Sequence, residues 1–221
     1  MTRSQRFRDR TVGEFVDDLA SDQPVPGGGS ASAVAGSLGA GLVAMVASLS
    51  AGRPRYAEHA AIHERAGALG RELADRFLTL ADRDADAYAD FAAALKLPRE
   101  TDAEKLARTT ALRAAARVAA EVPLTCVEAC LELALAAELL AGRSNANAAS
   151  DLTVASLLAE AAAKGAAMNV LVNLPSVGDD LYASDTTARV ESLLADVVGI
   201  ASSVRAVVAS GEARSPLPAN A

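Results

Sequence analysis

The residue in this sequence best placed to do chemistry is Asp84. At ~100° per residue on a helix, Leu73, Phe77, Leu80, Tyr88, Phe91 and Leu95 all fall within roughly 40° of it, while Asp75, Asp82 and Asp86 point the other way. One carboxylate therefore lies in an apolar stripe. Placing it there is unfavourable by several kcal/mol unless it is paired or protonated, and its proton affinity rises, which suits acid–base work near neutral pH. A second reading stays open from this pattern alone, a structural Asp that caps a helix or bridges to an Arg of a neighbouring one.

Other residues offer binding rather than proton transfer. Pro26-Gly27-Gly28-Gly29-Ser30 leads into a helical stretch and presents backbone N–H groups without side-chain obstruction. Its spacing is neither a Walker A loop nor a dinucleotide fingerprint. Asn169 and Asn173 share one face of a nearly uncharged helix, and buried amides need partners, either neighbouring backbone or a heterocyclic ligand. His59 and His63 have the four-residue spacing of paired metal ligands, but no third ligand is evident, and the flanking Glu58, Glu64 and Arg65 place them on a solvated face. Cys126 and Cys130, also four apart, read as reduced core thiols. Lys96, Arg99, Lys105, Arg108, Arg113 and Arg117 form a basic helical surface.

The elements that position these residues are helices. The 221 residues are 51% hydrophobic but only 3% aromatic, so the core must be built from Ala, Leu and Val, which suits closely packed helices in one domain. Thr11 to Ala20 forms a short helix, and the prolines and glycines that follow end it. A small-residue helix runs from Ser30 to Ser50, and a long one from Tyr56 to Leu95, closed by Pro98. Thr101 and Glu104 form a capping box that starts the next, which Pro123 interrupts before it resumes to Ala141. Ser150 or Asp151 caps a helix that reaches Asn173 and is stopped by Pro175; Asp185 opens the last, to Ser210. No strand alternation or fixed repeat occurs. The expected fold is all-α, a single-domain antiparallel helical bundle with long central helices over residues 11–211, flanked by flexible ends at 1–10 and 212–221.

A net charge of −7 excludes a broad nucleic-acid-binding face. No charge occurs between Asp22 and Arg53, yet the bulky apolar residues are concentrated from Leu38 to Leu49, a run nearer 12 residues than the ~20 that span a bilayer. No membrane span, signal peptide or metal is expected, and the location expected is cytoplasmic.

Several segments resemble, in order and at similar intervals, the formiminotetrahydrofolate cyclodeaminase and methenyltetrahydrofolate cyclohydrolase family. They are Phe15–Ala20 with Pro26–Ser30, Asp82–Tyr88, Leu97-Pro98, Val122-Pro123-Leu124, Ser144–Asn147 leading to Ser150-Asp151-Leu152, and Asn169–Leu174. The resemblance covers Thr11 to Arg205 and includes nothing of the formiminotransferase domain that bifunctional relatives carry. Ser144-Asn145, where many relatives have Gly-Asn, and Ser50-Ala51-Gly52-Arg53 depart mildly from its pattern.

The resemblance implies a helical homodimer, a tetrahydrofolate substrate, and Asp84 as the catalytic aspartate. Candidate substrate-binding residues are Pro26, Gly27, Gly28, Gly29, Ser30, Tyr56, Asn145, Asn147, Asp151, Asn169 and Asn173, with Arg53, Lys105 and Arg108 expected to receive a glutamyl tail because an acidic protein must concentrate cations locally. The lead expectation is conversion of 5-formimino- to 5,10-methenyltetrahydrofolate with loss of ammonia. The alternatives are cyclohydrolase action between the 5,10-methenyl and 10-formyl forms, and a non-catalytic folate-binding subunit. Neither reaction requires a metal or redox cofactor.

Overall fold

The computed structural model describes residues 6–217. Six α-helices make up the bundle: α1 (Val12–Leu19), α2 (Gly28–Ser50), α3 (Ala60–Leu95), α4 (Asp102–Leu140), α5 (Ala149–Val177) and α6 (Asp180–Ser210). No strand occurs among the described residues. The expected all-α bundle with long central helices is what forms.

The small residues explain how the helices meet. A Cβ added at Gly36 of α2 would lie 2.7 Å from the Phe77 ring of α3, and one at Gly165 of α5 would lie 2.2 Å from the Ser32 hydroxyl. At Gly36 a methyl would drive into a fully buried ring, and at Gly165 it would force the Ser32 hydroxyl to turn aside. Along the α2–α5 seam, Gly28 lies against Asn169, Ser32 against Gly165, and Gly39 against Ala155 and Leu158. Numbers fall in α5 as they rise in α2, so the pair is antiparallel. Phe77, Leu73, Leu133, Leu140 and Leu152 fill the centre. By length and composition alone, the helical spans Gly28–Ser50, Ala146–Val177 and Asp180–Ser210 are long and apolar enough to cross a membrane.

Thr11 with Glu14 and Thr101 with Glu104 form capping boxes at α1 and α4. Other boundaries differ from expectation. Helix α2 begins at Gly28, two residues early, with Gly27 as its N-cap. A 3₁₀ turn, Pro54–His59, precedes α3, so Tyr56 is not its start. Asp179, not Asp185, caps α6 by accepting a hydrogen bond from the Tyr182 N–H. Helix α5 starts at Ala149 after the 3₁₀ turn Ala146–Ala148, so neither Ser150 nor Asp151 is its cap. It runs through Pro175 to Gly178, whose φ of 68° ends it.

The largest correction is α4, which passes unbroken through Pro123. A proline has no N–H, so the carbonyl four residues back, that of Ala119, loses its helical donor. The Asn173 side-chain amide supplies one from α5 at 3.0 Å. A tertiary contact thus replaces the missing helical bond, and the helix continues.

The histidines are also corrected. His59 and His63 are buried, not solvated, because the loop after α4 packs over them. His63 Nε2 lies 2.9 Å from the Arg143 carbonyl oxygen. Burial pushes the His59 imidazole below its ordinary pKa. Cys126 and Cys130 are buried free thiols.

The chain ends, expected to be loose, make defined contacts where described. Phe7 is buried and its N–H donates to Asp82 at 2.9 Å. The Arg214 N–H donates to the Gly142 carbonyl at 2.8 Å, and its guanidinium pairs with Glu138. Residues 1–5 and 218–221 of those expected ends lie outside the described residues.

Candidate active site

Asp84 sits on the cleft side of α3 with its carboxyl against the first turn of α2. A Cβ at Gly29 would lie 2.2 Å from Asp84 Oδ1, so the absence of a side chain at 29 is what admits the carboxyl. The Ser30 hydroxyl donates to Asp84 Oδ2 at 2.9 Å. Burial raises the Asp84 pKa, and the hydrogen bonds from the Ser30 side chain and backbone oppose but do not cancel that rise. No cation contributes to the shift, and among the described residues no salt bridge reaches Asp84. The reading of Asp84 as a buried partner of an Arg therefore finds no support.

The carboxyl opens into a cleft of about 290 Å³ between the Pro24–Gly29 segment, α3, α4 and α5. No Lys, Arg or His lines it. Tyr88 and Phe91 form one wall, and Asn169, Val172 and Asn173 the opposite one. Asn173 donates both hydrogens of its amide, to Ala119 at 3.0 Å and to the Asn169 carbonyl at 2.8 Å. Its side-chain oxygen is left to accept from whatever enters. Asn169 donates to the Gly165 carbonyl at 2.9 Å. Both asparagines thus take neighbouring backbone as partners while lining the cleft.

Pro26 is buried in the turn that sets this wall, and Gly27 and Gly28 line the cleft with Gly29. The remaining candidates lie elsewhere. At about 1.5 Å per residue, the 23 residues of α2 span ~33 Å, and Arg53, Tyr56, Asn145 and Asn147 gather beyond its far end, with Asp151 just after in α5. There the Tyr56 hydroxyl accepts from the Ala146 N–H at 3.1 Å, and the Ser50 hydroxyl from the Asn145 N–H at 2.8 Å. Lys105 and Arg108 form a third place at the α3–α4 turn, with Lys105 paired to Asp102 at 3.0 Å and Arg108 donating to the Leu95 carbonyl at 3.3 Å. Arg53 precedes α3 and Lys105 follows it, so 36 residues of helix, roughly 54 Å, separate them within one chain. One copy does not bring the three expected cations together.

Sequence reasoning missed Ala119 and Val172 as lining residues. The signal for Ala119 was present in Pro123, since a proline inside a helix frees the carbonyl four residues before it. Among the described residues, no group of three or more His, Cys, Asp or Glu side chains is arranged to hold a metal ion.

Fold and site together set a single carboxyl at the mouth of a cleft in an all-α bundle. The sequence model of the formiminotransferase-cyclodeaminase family matches residues 11–192, and the chain belongs to that family. It is 37% identical over 190 residues to methenyltetrahydrofolate cyclohydrolase of Methylorubrum extorquens, covering 84% of this chain and 89% of that protein. It is 34% identical to formimidoyltransferase-cyclodeaminase of Rattus norvegicus over 86% of this chain, which spans only 35% of that longer protein. The crystal structure of formiminotetrahydrofolate cyclodeaminase from Thermotoga maritima superimposes with a TM-score of 0.83 at 27% identity, covering 92% of this chain and 98% of that one. These relatives are enzymes, and the non-catalytic reading is set aside.

Proposed function

We propose that the cleft binds a tetrahydrofolate carrying a one-carbon unit between N5 and N10, and that Asp84 moves the proton the reaction requires. The observation that carries this reading is a partly buried carboxyl of raised proton affinity in a cleft with no basic side chain. Such a site favours a cationic ligand, and the 5,10-methenyl bridge is a cation.

The first reading is methenyltetrahydrofolate cyclohydrolase, supported by the near full-length likeness to the Methylorubrum protein. Water attacks the methenyl carbon and the Asp84 carboxylate takes its proton. As the bond from that carbon to N5 breaks, Asp84 returns the proton to N5. The carbon becomes a formyl group on N10, and the hydroxyl proton leaves to solvent. The second reading, cyclodeaminase, was the lead from sequence. It is supported by the free Asn173 oxygen, an acceptor suited to a formimino N–H. There N10 attacks the formimino carbon, and the nitrogen leaves as ammonia with the N10 proton and one from Asp84. The expected setting for either reaction is the cytoplasm, without metal or redox cofactor.

The reading includes a homodimer. Leu38, Met45 and Leu49 of α2 and Val154, Leu157 and Met168 of α5 are exposed on neighbouring helices, Met168 at 66%. An apolar face of this kind is suited to a second copy. With a two-fold axis in that face and across the helices, the Arg53 end of one copy meets the Asp84 cleft of the other, bringing the cations that the cleft lacks to the glutamyl tail.

Ultraviolet spectroscopy tests the reaction. With 5,10-methenyltetrahydrofolate, loss of its chromophore marks the hydrolase; with the 5-formimino compound, its appearance marks the deaminase. Neither change at micromolar enzyme rejects both. For the dimer, Asp84→Asn chains should be inactive and Arg53→Ala chains should bind a glutamylated substrate weakly. With that substrate held well below the Arg53→Ala KM, mixing the two should restore up to about a quarter to a half of wild-type activity, because one composite site in each mixed dimer is intact. No recovery on mixing rejects the shared site.

A further inference from the structure

Ser30 is fully buried in the first turn of α2. Its oxygen lies 2.9 Å from Asp84 Oδ2 and 3.3 Å from the Ala81 carbonyl oxygen, one turn earlier on α3. A hydroxyl has a single hydrogen and two lone pairs, so it donates to one of these acceptors at a time. Both are held by α3 and both lie within reach of a rotation about one C–O bond. The bare Cα of Gly29 keeps the carboxyl in contact with this turn.

We propose that Ser30 is a positioning residue for the reaction, one whose hydroxyl fixes the Asp84 carboxyl and follows its proton. With Asp84 charged, Ser30 donates to Oδ2. With Oδ2 protonated, Asp84 donates to the Ser30 oxygen and the Ser30 hydrogen turns to the Ala81 carbonyl. Ser30 keeps its own hydrogen throughout, and only Asp84 gains or loses one. Each state of the carboxyl is then hydrogen-bonded without any movement of the backbone, so burial does not trap Asp84 in one form.

This inference rests on Asp84 as the proton carrier, but its test does not require turnover. The Asp84 carboxyl is titrated by carbon-13 NMR in Asp-labelled protein, assigned by its loss in Asp84→Asn. In Ser30→Ala the carboxylate loses a charge-assisted hydrogen bond and the acid form only a weaker neutral one, so the midpoint should rise by about one pH unit. Ser30→Cys, a weaker donor, should fall between the two. Infrared difference spectra add a second readout: the carbonyl band of protonated Asp84 should shift between wild type and Ser30→Ala, because the acid O–H loses the Ser30 oxygen as its acceptor.

In steady-state kinetics, the pH limb of kcat assigned to Asp84 should move by the same amount as the midpoint, with KM within about threefold. An unmoved midpoint in folded Ser30→Ala overturns the proposal, as does a carbonyl band of the acid form that stays unchanged on loss of Ser30. A fully active Asp84→Asn would instead overturn the assignment of the proton carrier and leave the Ser30 titration standing as a separate result.

Discussion

The two ends of α2 bury polar groups in opposite ways. At its start, Asp84 is desolvated without a cation and faces a cleft. Past its end, Asn145 is tied to Ser50 and Leu49, Tyr56 to Ala146, and the Arg143 guanidinium donates to the Ser215 and Leu139 carbonyls. Groups satisfied by nearby protein hold loops in place. A group left short of partners beside open space is available to a ligand. Burial alone does not separate the two cases; the partners do.

The largest expected effect breaks this contrast at the Asp84 end. Asp84→Asn should lower kcat by ~100-fold or more, because the amide keeps the shape but cannot carry a proton at neutral pH. Its melting temperature should hold or rise, since an unfavourable, partly desolvated charge is gone. Asp86→Asn, on the exposed side of the same helix, should remain near wild type. Activity in Asp84→Asn equal to wild type sinks the assignment.

Gly29→Ala comes next. The new methyl must displace the carboxyl, so kcat should fall roughly 10- to 100-fold from misplacement of the proton carrier. Unchanged kinetics would show that the carboxyl can work from another position.

At the opposite end the loss should be in stability. His63→Ala removes a buried ring and its bond to the Arg143 carbonyl and should destabilise by ~2 kcal/mol in urea melts, with kcat of the folded enzyme within about twofold. A large kcat loss with unchanged stability would mean that this end also does chemistry.

The same contrast has a sign in pH. Asp84 binds its proton more tightly folded than unfolded, so its contribution to stability falls as pH rises from the ordinary aspartate value through the folded one. His59 binds its proton less tightly folded, so its contribution falls as pH drops from the ordinary imidazole value through the folded one. Urea midpoints across pH should lose the first slope in Asp84→Asn and the second in His59→Gln. The smallest effect is expected at the α3–α4 turn, where Lys105→Ala removes an exposed ion pair and should cost under ~0.5 kcal/mol.

Much of this was legible in the sequence where one helix decides the outcome. The position of Asp84 among Leu73, Phe77 and Leu80 follows from helical periodicity, and the capping boxes at Thr11 and Thr101 mark their helices directly. What escaped depends on contacts between segments distant in the chain. Pro123 looked like a break because its remedy, Asn173, lies 50 residues later. His59 and His63 looked solvated because their charged neighbours are, while the loop that covers them comes after α4. The far cluster of Tyr56, Asn145 and Asn147 came from family resemblance, and nothing local to those residues places them ~33 Å from Asp84.

The bond from Asn173 to Ala119 makes mutational order matter. Losing Asn173 first strands a partly buried carbonyl for which Pro123 offers no donor, a penalty of about 1 kcal/mol. Losing Pro123 first is mild, because any other residue there restores the helical N–H and Asn173 keeps its second acceptor, the Asn169 carbonyl. A lineage can therefore drift away from this pair by one route and not the other. Once the proline is gone, the asparagine is freed from its structural duty and kept only by what the cleft binds.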